Sequence, residues 1–122
     1  MSTKVSQADF KTKPEKLAKD IISYLLQKDM IDDTLIYVGG KRYFAKSNSW
    51  DEIYYDDNMN PKDYCEYAGD ILSISTEGFL YDALNYGFEW GSKVPDELDV
   101  IFKKHGYYYE MCTSWFLTAV KL

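Results

Sequence analysis

The sequence predicts a single α+β domain with a mostly antiparallel sheet and three or four helices. Its 122 residues are about one domain's length, and 46% of them are hydrophobic, enough for one core. Helical and strand-like patterns alternate irregularly, without the repeated strand–helix–strand order of a doubly wound sheet. Two pairs of strand-like runs are adjacent in sequence, which is typical of antiparallel hairpins. We expect a polar N-terminal arm over residues 1–11 and the domain over residues 12–122.

The first predicted element is a helix that begins after Thr12. Thr12 and Glu15 have the spacing of a capping box, and Pro14 fits the first helical turn. The apolar side chains that follow recur every three or four residues, namely Leu17, Ile21, Ile22, Leu25 and Leu26. We expect this helix to reach about Met30 and to turn its apolar stripe toward the core.

A hairpin and an irregular region follow this helix. Residues 34–38 and 41–46 are rich in β-branched and aromatic side chains, and Gly39-Gly40 between them predicts a tight turn. After a polar turn at residues 47–49, we expect a short strand within residues 50–55. Asn60-Pro61 then predicts the start of a helix that ends near residues 68–70.

The second half is predicted to contain three strands and two helices. Residues 71–75 read as a strand, and Thr76 is expected to cap a helix that continues to Tyr86, with Gly87 after it. Its apolar side is expected to comprise Phe79, Leu80, Ala83 and Leu84. Pro95 predicts the start of a further helix, which carries acidic residues early and basic ones late, before Gly106. Residues 107–112 and 115–121 predict a C-terminal hairpin or one long bent strand.

The composition is acidic, aromatic and unevenly distributed. Aromatic residues make up 17% of the chain, and the formal net charge is −6. Residues 1–46 carry a net charge of +3, whereas residues 47–122 carry −9. Because a net-negative surface repels phosphate backbones, we do not expect direct binding of nucleic acid. Residues 1–13 lack a signal-peptide pattern and no run is long enough to span a membrane, so we expect a cytoplasmic protein with reduced cysteines.

An acidic, tyrosine-rich stretch at residues 51–70 is the strongest functional signal. It holds seven carboxylates against one lysine, with four tyrosines among them. Carboxylates can occupy the places of phosphates, and tyrosines supply rigid contact area at interfaces. We expect the binding residues to be Asp56, Asp57, Asp63 and Glu66, with Tyr54, Tyr55 and Tyr64 as anchors. The predicted partner is a protein with a basic surface, such as a nucleic-acid-binding protein; a merely solvated face is the alternative.

Two other kinds of site are suggested by single features of the sequence. Asp56, Asn58 and Asn60 have the first spacings of an EF-hand loop, but Pro61 stands where glycine is needed, so we expect no metal and no cofactor. His105 with Cys65 or Cys112 would make a thiol-dependent enzyme, although no local signature surrounds either cysteine.

Two smaller groups of residues predict contacts of other kinds. Lys41, Arg42 and Lys46 share a hairpin with aromatic residues and form a basic island that could contact nucleic acid or the acidic half of the chain. The C-terminal aromatic run predicts, as a third alternative, self-association into a homodimer; it comprises Tyr107, Tyr108, Tyr109, Trp115 and Phe116.

Three segments of the C-terminal third, residues 80–87, 101–110 and 115–119, together carry a resemblance to a known group. They resemble small uncharacterised proteins of mobile elements in Gram-positive (Firmicutes) gut bacteria. The resemblance implies no catalytic residues. It does imply an accessory role, which includes antirestriction-like or immunity-like inhibitors that imitate DNA. It does not extend to the acidic stretch.

Overall fold

Seven strands form one sheet in the computed structural model, which describes residues 2–86 and 93–122. The strands are β1 (Thr3–Lys4), β2 (Thr34–Val38), β3 (Lys41–Ala45), β4 (Ile53–Asp57), β5 (Leu72–Thr76), β6 (Tyr107–Thr113) and β7 (Phe116–Lys121). Their order across the sheet is β1-β4-β3-β2-β5-β7-β6, and every neighbouring pair is antiparallel. The predicted α+β class with a mostly antiparallel sheet is confirmed.

Three α-helices lie within the described residues, and all pack on one face of the sheet. They are α1 (Lys13–Gln27), α2 (Phe79–Asn85) and α3 (Val94–Lys104), and single 3₁₀ turns occur at Gln7–Asp9, Trp50–Glu52 and Pro61–Asp63. Each helix contributes side chains to the main core, where they meet strand residues such as Ile36, Ile74 and Leu117. Burial of these apolar surfaces is the main force that holds the helical layer on the sheet.

The first helix forms as its capping box predicts. The Thr12 hydroxyl accepts a hydrogen bond from the Glu15 amide at 3.3 Å, and the Glu15 carboxylate accepts one from the Thr12 amide at 2.9 Å. The helix ends at Gln27, three residues before the predicted end, because the chain turns through Asp29, whose φ of 55° is incompatible with a right-handed helix.

The first hairpin also has the predicted form. Gly39 and Gly40 have φ values of 62° and 77°, as a two-residue type I′ turn requires, and this turn pairs Val38 with Lys41. The pairing places Ile36 and Tyr43 toward the helices and Tyr37 and Arg42 toward the opposite face.

The opposite face of the sheet is covered in part by residues 58–70, which we call the covering segment. Two of its side chains, Cys65 and Ala68, are buried against Tyr37 and Phe116 and form a second, smaller apolar cluster. Apart from the single turn at Pro61–Asp63, the segment has no helix or strand. The expected helix from Asn60 to residues 68–70 is therefore wrong beyond its first turn, because the chain turns away to bury these two small side chains.

Other differences from the predicted elements have local causes. Thr76 does not cap a helix: it ends β5, and its buried hydroxyl lies 2.9 Å from that of Thr34. The next helix begins only after Gly78, and Phe79 on its expected apolar side is 59% exposed. The strand expected from residue 50 begins at Ile53, after a 3₁₀ turn. The predicted helix end at Gly87 lies outside the described residues.

Residues 2–11, predicted as a polar arm, lie against the domain. Thr3 and Lys4 pair with β4 at the edge of the sheet, and Val5 continues this contact by donating its amide to Ile53. Phe10 is buried between Tyr43 and Trp50. The strand pairing and the burial of Phe10 together hold this end of the chain on the domain.

Candidate functional site

The covering segment is attached to the sheet at both of its ends. At its start, the Met59 amide donates to the Gly40 carbonyl at 3.0 Å, so the segment follows the glycine turn. At its end, the Gly69 amide donates to the Thr118 hydroxyl at 2.9 Å. Between these points Cys65 is only 7% exposed and fixes the middle of the segment. The segment therefore has a defined conformation although it lacks regular secondary structure.

Thr118 is the centre of the attachment at the second end. Its hydroxyl lies 3.0 Å from that of Ser73 and 3.3 Å from the carbonyl of Leu72, to which it donates. A Cβ atom added at Gly69 would lie 2.9 Å from this hydroxyl oxygen. Close approach of the backbone to a buried, hydrogen-bonded side chain thus requires glycine at position 69.

The outer surface of the covering segment carries two exposed tyrosines and free carboxylates. Tyr64 is 50% exposed and Tyr67 is 68% exposed. Asp63 and Glu66 are exposed beside them, and among the described residues neither makes an ion pair. Asp70, by contrast, pairs with Lys62 at 2.9 Å. Asp63, Tyr64 and Glu66 were predicted as binding residues from the sequence, whereas Tyr67 was not, although it lies in the same tyrosine-rich stretch.

Tyr64 is oriented by the sheet below it. Its ring centroid lies 5.7 Å from that of Tyr37, and the guanidinium carbon of Arg42 lies 5.9 Å from the Tyr64 ring. These contacts fix the position of the Tyr64 ring, while half of the side-chain surface stays exposed to solvent. A tyrosine held in this way loses little conformational freedom when a partner packs on it.

Asp56, the first of the predicted carboxylates, is already engaged within the protein. It accepts a hydrogen bond from the Ser2 hydroxyl at 2.6 Å and another from Arg42 Nη2 at 3.1 Å. The hydrogen bond from Ser2, followed by that from Arg42, lowers the pKa of Asp56. Asp56 and Arg42 therefore neutralise each other on the open part of the sheet, and this carboxylate is not free to imitate a phosphate.

The remaining predicted residues divide between the two faces of the sheet. Tyr54 lies on the open face, where its ring stacks on Phe44 at 6.1 Å and Lys46 Nζ lies 4.1 Å from it. Tyr55 lies on the helical face, where it packs on the core and Lys41 Nζ lies 4.3 Å from its ring. Asp57 is exposed at the end of β4, and the alternation of side chains places it on the side of Tyr55.

The seven predicted residues do not share one face. The structure brings Asp63, Tyr64 and Glu66 together on the covering segment, places Tyr54 and Asp56 beside it on the open sheet, and separates Tyr55 and Asp57 from both groups. The alternating directions of strand side chains are responsible, because consecutive residues of β4 point to opposite faces.

The basic island of the first hairpin is also used internally. Lys41 pairs with Asp9 at 3.7 Å, Arg42 pairs with Asp56, and Lys46 lies over Tyr54. Each predicted basic side chain thus has an acidic or aromatic partner within the domain. Arg42 and Lys46 thereby contact residues of the acidic half of the chain, whereas the ion pair of Lys41 is with Asp9 in the first half.

The structure separates the residues of the thiol-dependent alternative. His105 Nε2 lies 2.7 Å from the carboxylate of Asp20, on the helical side of the sheet. Cys65 and Cys112 belong to the second apolar cluster on the opposite face. Burial raises the pKa of the Cys112 thiol, which opposes formation of a thiolate. The geometry does not assemble a cysteine–histidine pair.

Most of the C-terminal aromatic run is used inside the fold. Tyr107 and Phe116 are buried, and Tyr108, Tyr109 and Trp115 are half-buried. In the part of the chain that the structure describes, the run leaves no large exposed aromatic patch. Self-association through these residues stays a prediction.

A pocket of about 340 Å³ lies beside the two attachment points of the covering segment. It is lined by residues 37–40, 58–61 and 69–72. In residues 2–86 and 93–122, no group of three or more histidine, cysteine or acidic side chains is placed to hold a metal ion. None of the helices described has the length and apolar character needed to cross a bilayer.

Comparison with known proteins adds no relative. No protein-family model matches the chain, and neither the curated proteins nor the solved structures contain a significant match. The resemblance of the C-terminal third to proteins of mobile elements stays a prediction.

Proposed function

We propose that the protein is a non-catalytic binding protein that recognises a basic macromolecule, most simply another protein, through its covering segment. The observation that carries this proposal is that two tyrosines and two free carboxylates share the surface of one segment. Tyr64 and Tyr67 are both at least half exposed, and Asp63 and Glu66 make no ion pair in the described structure. Large aromatic side chains are enriched at binding surfaces, where tyrosine supplies contact area. Carboxylates around them favour a partner of complementary, basic charge.

The construction of the segment supports recognition with little loss of entropy. Its backbone is attached at Met59 and Gly69, and its middle is buried through Cys65. The exposed side chains between these points are therefore presented on a preformed surface, and a partner has few residues to order. Carboxylates on such a surface can accept charge-assisted hydrogen bonds from arginine or lysine.

The sharper form of the proposal is that the partner is a nucleic-acid-binding protein. Residues 47–122 carry a net charge of −9, so the field of this half of the chain attracts a surface that normally binds phosphates. Asp63 and Glu66 would then receive the arginine and lysine side chains that otherwise bind DNA or RNA. An antirestriction-like or immunity-like inhibitor encoded by a mobile element would act in this way.

The proposal is tested by neutralising the two free acids of the segment. The variant Asp63→Asn/Glu66→Gln and a control, Asp29→Asn/Glu77→Gln, lose the same charge from exposed positions without ion pairs in the described structure. Proteins from a lysate of the source cells are captured on each protein and identified by mass spectrometry. The affinity of the captured partner is then measured at several salt concentrations.

We expect the segment variant to bind at least about tenfold more weakly and with a shallower salt dependence, whereas the control stays within about threefold. Equal losses in both variants would show that net charge, not the segment, attracts the partner. Addition of duplex DNA tests the sharper form: a nucleic-acid-binding partner is released by it, and a partner indifferent to DNA contradicts mimicry while retaining the binding surface.

A further inference from the structure

The two cysteines of the chain lie in the same small apolar cluster, where the covering segment meets the last hairpin. Cys65 belongs to the segment and is buried, whereas Cys112 lies in β6 and is half-buried; both belong to the second apolar cluster. The Cys112 thiol lies 3.5 Å from the carbonyl oxygen of Tyr67, two residues beyond Cys65, and donates to it. These contacts join the segment to the last hairpin at the position of the thiols.

The Cys65 thiol also influences the ionisation of Cys112. Burial is the main reason that the pKa of Cys112 is raised, and the neighbouring Cys65 thiol raises it further. No such shift would arise from a cysteine on a distant part of the sheet. The 46 residues that separate the two positions in sequence are thus folded back to place both cysteines in one small apolar cluster.

We propose that Cys65 and Cys112 are a redox pair, and that a low-molecular-weight disulfide such as oxidised glutathione converts them into an intramolecular disulfide. The accessible Cys112 thiol loses its proton and attacks one sulfur of glutathione disulfide, which releases one glutathione thiolate. The Cys65 thiol then loses its proton and attacks Cys112 Sγ, which releases the second glutathione. One S–S bond breaks and one forms in each step. The two cysteine sulfurs lose two electrons in all, and the glutathione pair gains them.

The disulfide would replace a weak sulfur–carbonyl contact with a covalent link between the covering segment and β6. Tyr64 and Tyr67 flank Cys65 at one and two residues, so the link restricts the motion of both. This consequence for binding rests on the proposed function, since it changes the surface that the partner would contact. Formation of the disulfide itself does not depend on any partner.

The first experiment treats the full-length, reduced protein with oxidised glutathione and measures its intact mass. We expect a monomer lighter than the reduced protein by about 2 Da, because two hydrogen atoms leave. Digestion without reductant should yield one peptide pair that joins residues 65 and 112, and dithiothreitol should reverse it. The midpoint of thermal unfolding should rise by on the order of 10 °C, because the link closes a long loop in the unfolded chain.

Two single variants provide the controls. Cys65→Ala should stop at a glutathione adduct on Cys112, and Cys112→Ala should form no internal link. If the natural protein accumulates only the mixed disulfide, forms only disulfide-linked dimers, or stays reduced although urea exposes two reactive thiols, the proposal is wrong.

The effect on recognition is measured separately, with the partner captured by the reduced protein. Oxidation should change the affinity of the natural protein but not that of the double variant Cys65→Ala/Cys112→Ala. A disulfide seen by mass spectrometry without any captured partner would contradict the proposed function alone. A captured partner without a disulfide would contradict the redox proposal alone.

Discussion

Gly69→Ala is the substitution whose consequence the structure defines most sharply. The φ angle of Gly69 lies outside the left-handed region, so alanine meets no backbone strain there. Its Cβ would lie 2.9 Å from the Thr118 hydroxyl oxygen, closer than a carbon and an oxygen can pack. The Thr118 side chain cannot turn away easily, because it is buried and bonded to Ser73 and Leu72. The covering segment therefore has to move outward.

Two losses determine the magnitude. Forcing a methyl group into a packed site costs about 1–3 kcal/mol. Outward movement also lengthens the hydrogen bond from the Gly69 amide to Thr118, which contributes about 0.5–1.5 kcal/mol. Together these predict that Gly69→Ala lowers the free energy of unfolding by about 2–4 kcal/mol. That is a large part of the stability of a domain of this size.

A double-mutant cycle with Thr118→Ala shows whether the contact is the cause. Thr118→Ala removes the clashing oxygen, and the nearest remaining atom to the new Cβ is the Ala119 carbonyl oxygen at 3.6 Å, an ordinary contact. We expect Gly69→Ala to cost less than about 1 kcal/mol in this background, in urea unfolding with unchanged m values. An equal cost in both backgrounds would refute the steric argument and place the effect in the backbone of the segment.

Two further predictions concern other parts of the fold. Thr34→Val should lower the free energy of unfolding by about 1–3 kcal/mol, because it leaves the buried Thr76 hydroxyl unpaired. The double variant Thr34→Val/Thr76→Val should recover most of this loss; the same urea assay measures both. Although partial burial raises the pKa of Asp20, the hydrogen bond from His105 and the charge of Lys104 lower it, on balance, below its ordinary value of 3.8. At this partly exposed site, the ionised Asp20 side chain contributes under about 1 kcal/mol to the free energy of unfolding. This contribution is present above pH 3.8 and is lost as the pH falls through the lowered pKa. Asp20→Asn should therefore remove this acid dependence of stability.

The elements that the sequence predicted well are those whose signals are local. The capping box at Thr12 and Glu15 and the paired glycines of the first hairpin each occupy a few consecutive residues, and both form as expected. Such signals act within one turn, so tertiary packing has little opportunity to override them. Thr76 shows where local signals fail. Its hydroxyl forms a hydrogen bond with Thr34, 42 residues away in sequence, instead of capping the next helix.

The candidate site was less predictable because it depends on long-range packing. Composition marked residues 51–70 as acidic and tyrosine-rich, but it could not show that Asp56 would pair with Arg42. Nor could it show that Tyr55 would face the helices while Tyr54 faced the opposite side. The side of a strand that becomes buried is set by the register with its neighbours, which a single sequence reveals poorly when both sides carry tyrosine.

The unequal covering of the two sheet faces connects the proposed recognition and the proposed redox control, which involve the same segment. The core between the three helices and one face contains 22 buried side chains, whereas the described part of the other face is covered mainly through Cys65 and Ala68. A segment held by few buried contacts opens at lower free energy than the helical core. Its opening would expose Cys65 to an oxidant and would also disorder Tyr64 and Tyr67.

A disulfide that closes the segment and a partner that packs on it would therefore favour the same closed state, so each should strengthen the other when the bound conformation is the one seen here. If oxidation instead weakens binding, the partner must recognise an opened segment, and the closed surface described here is not the one it contacts.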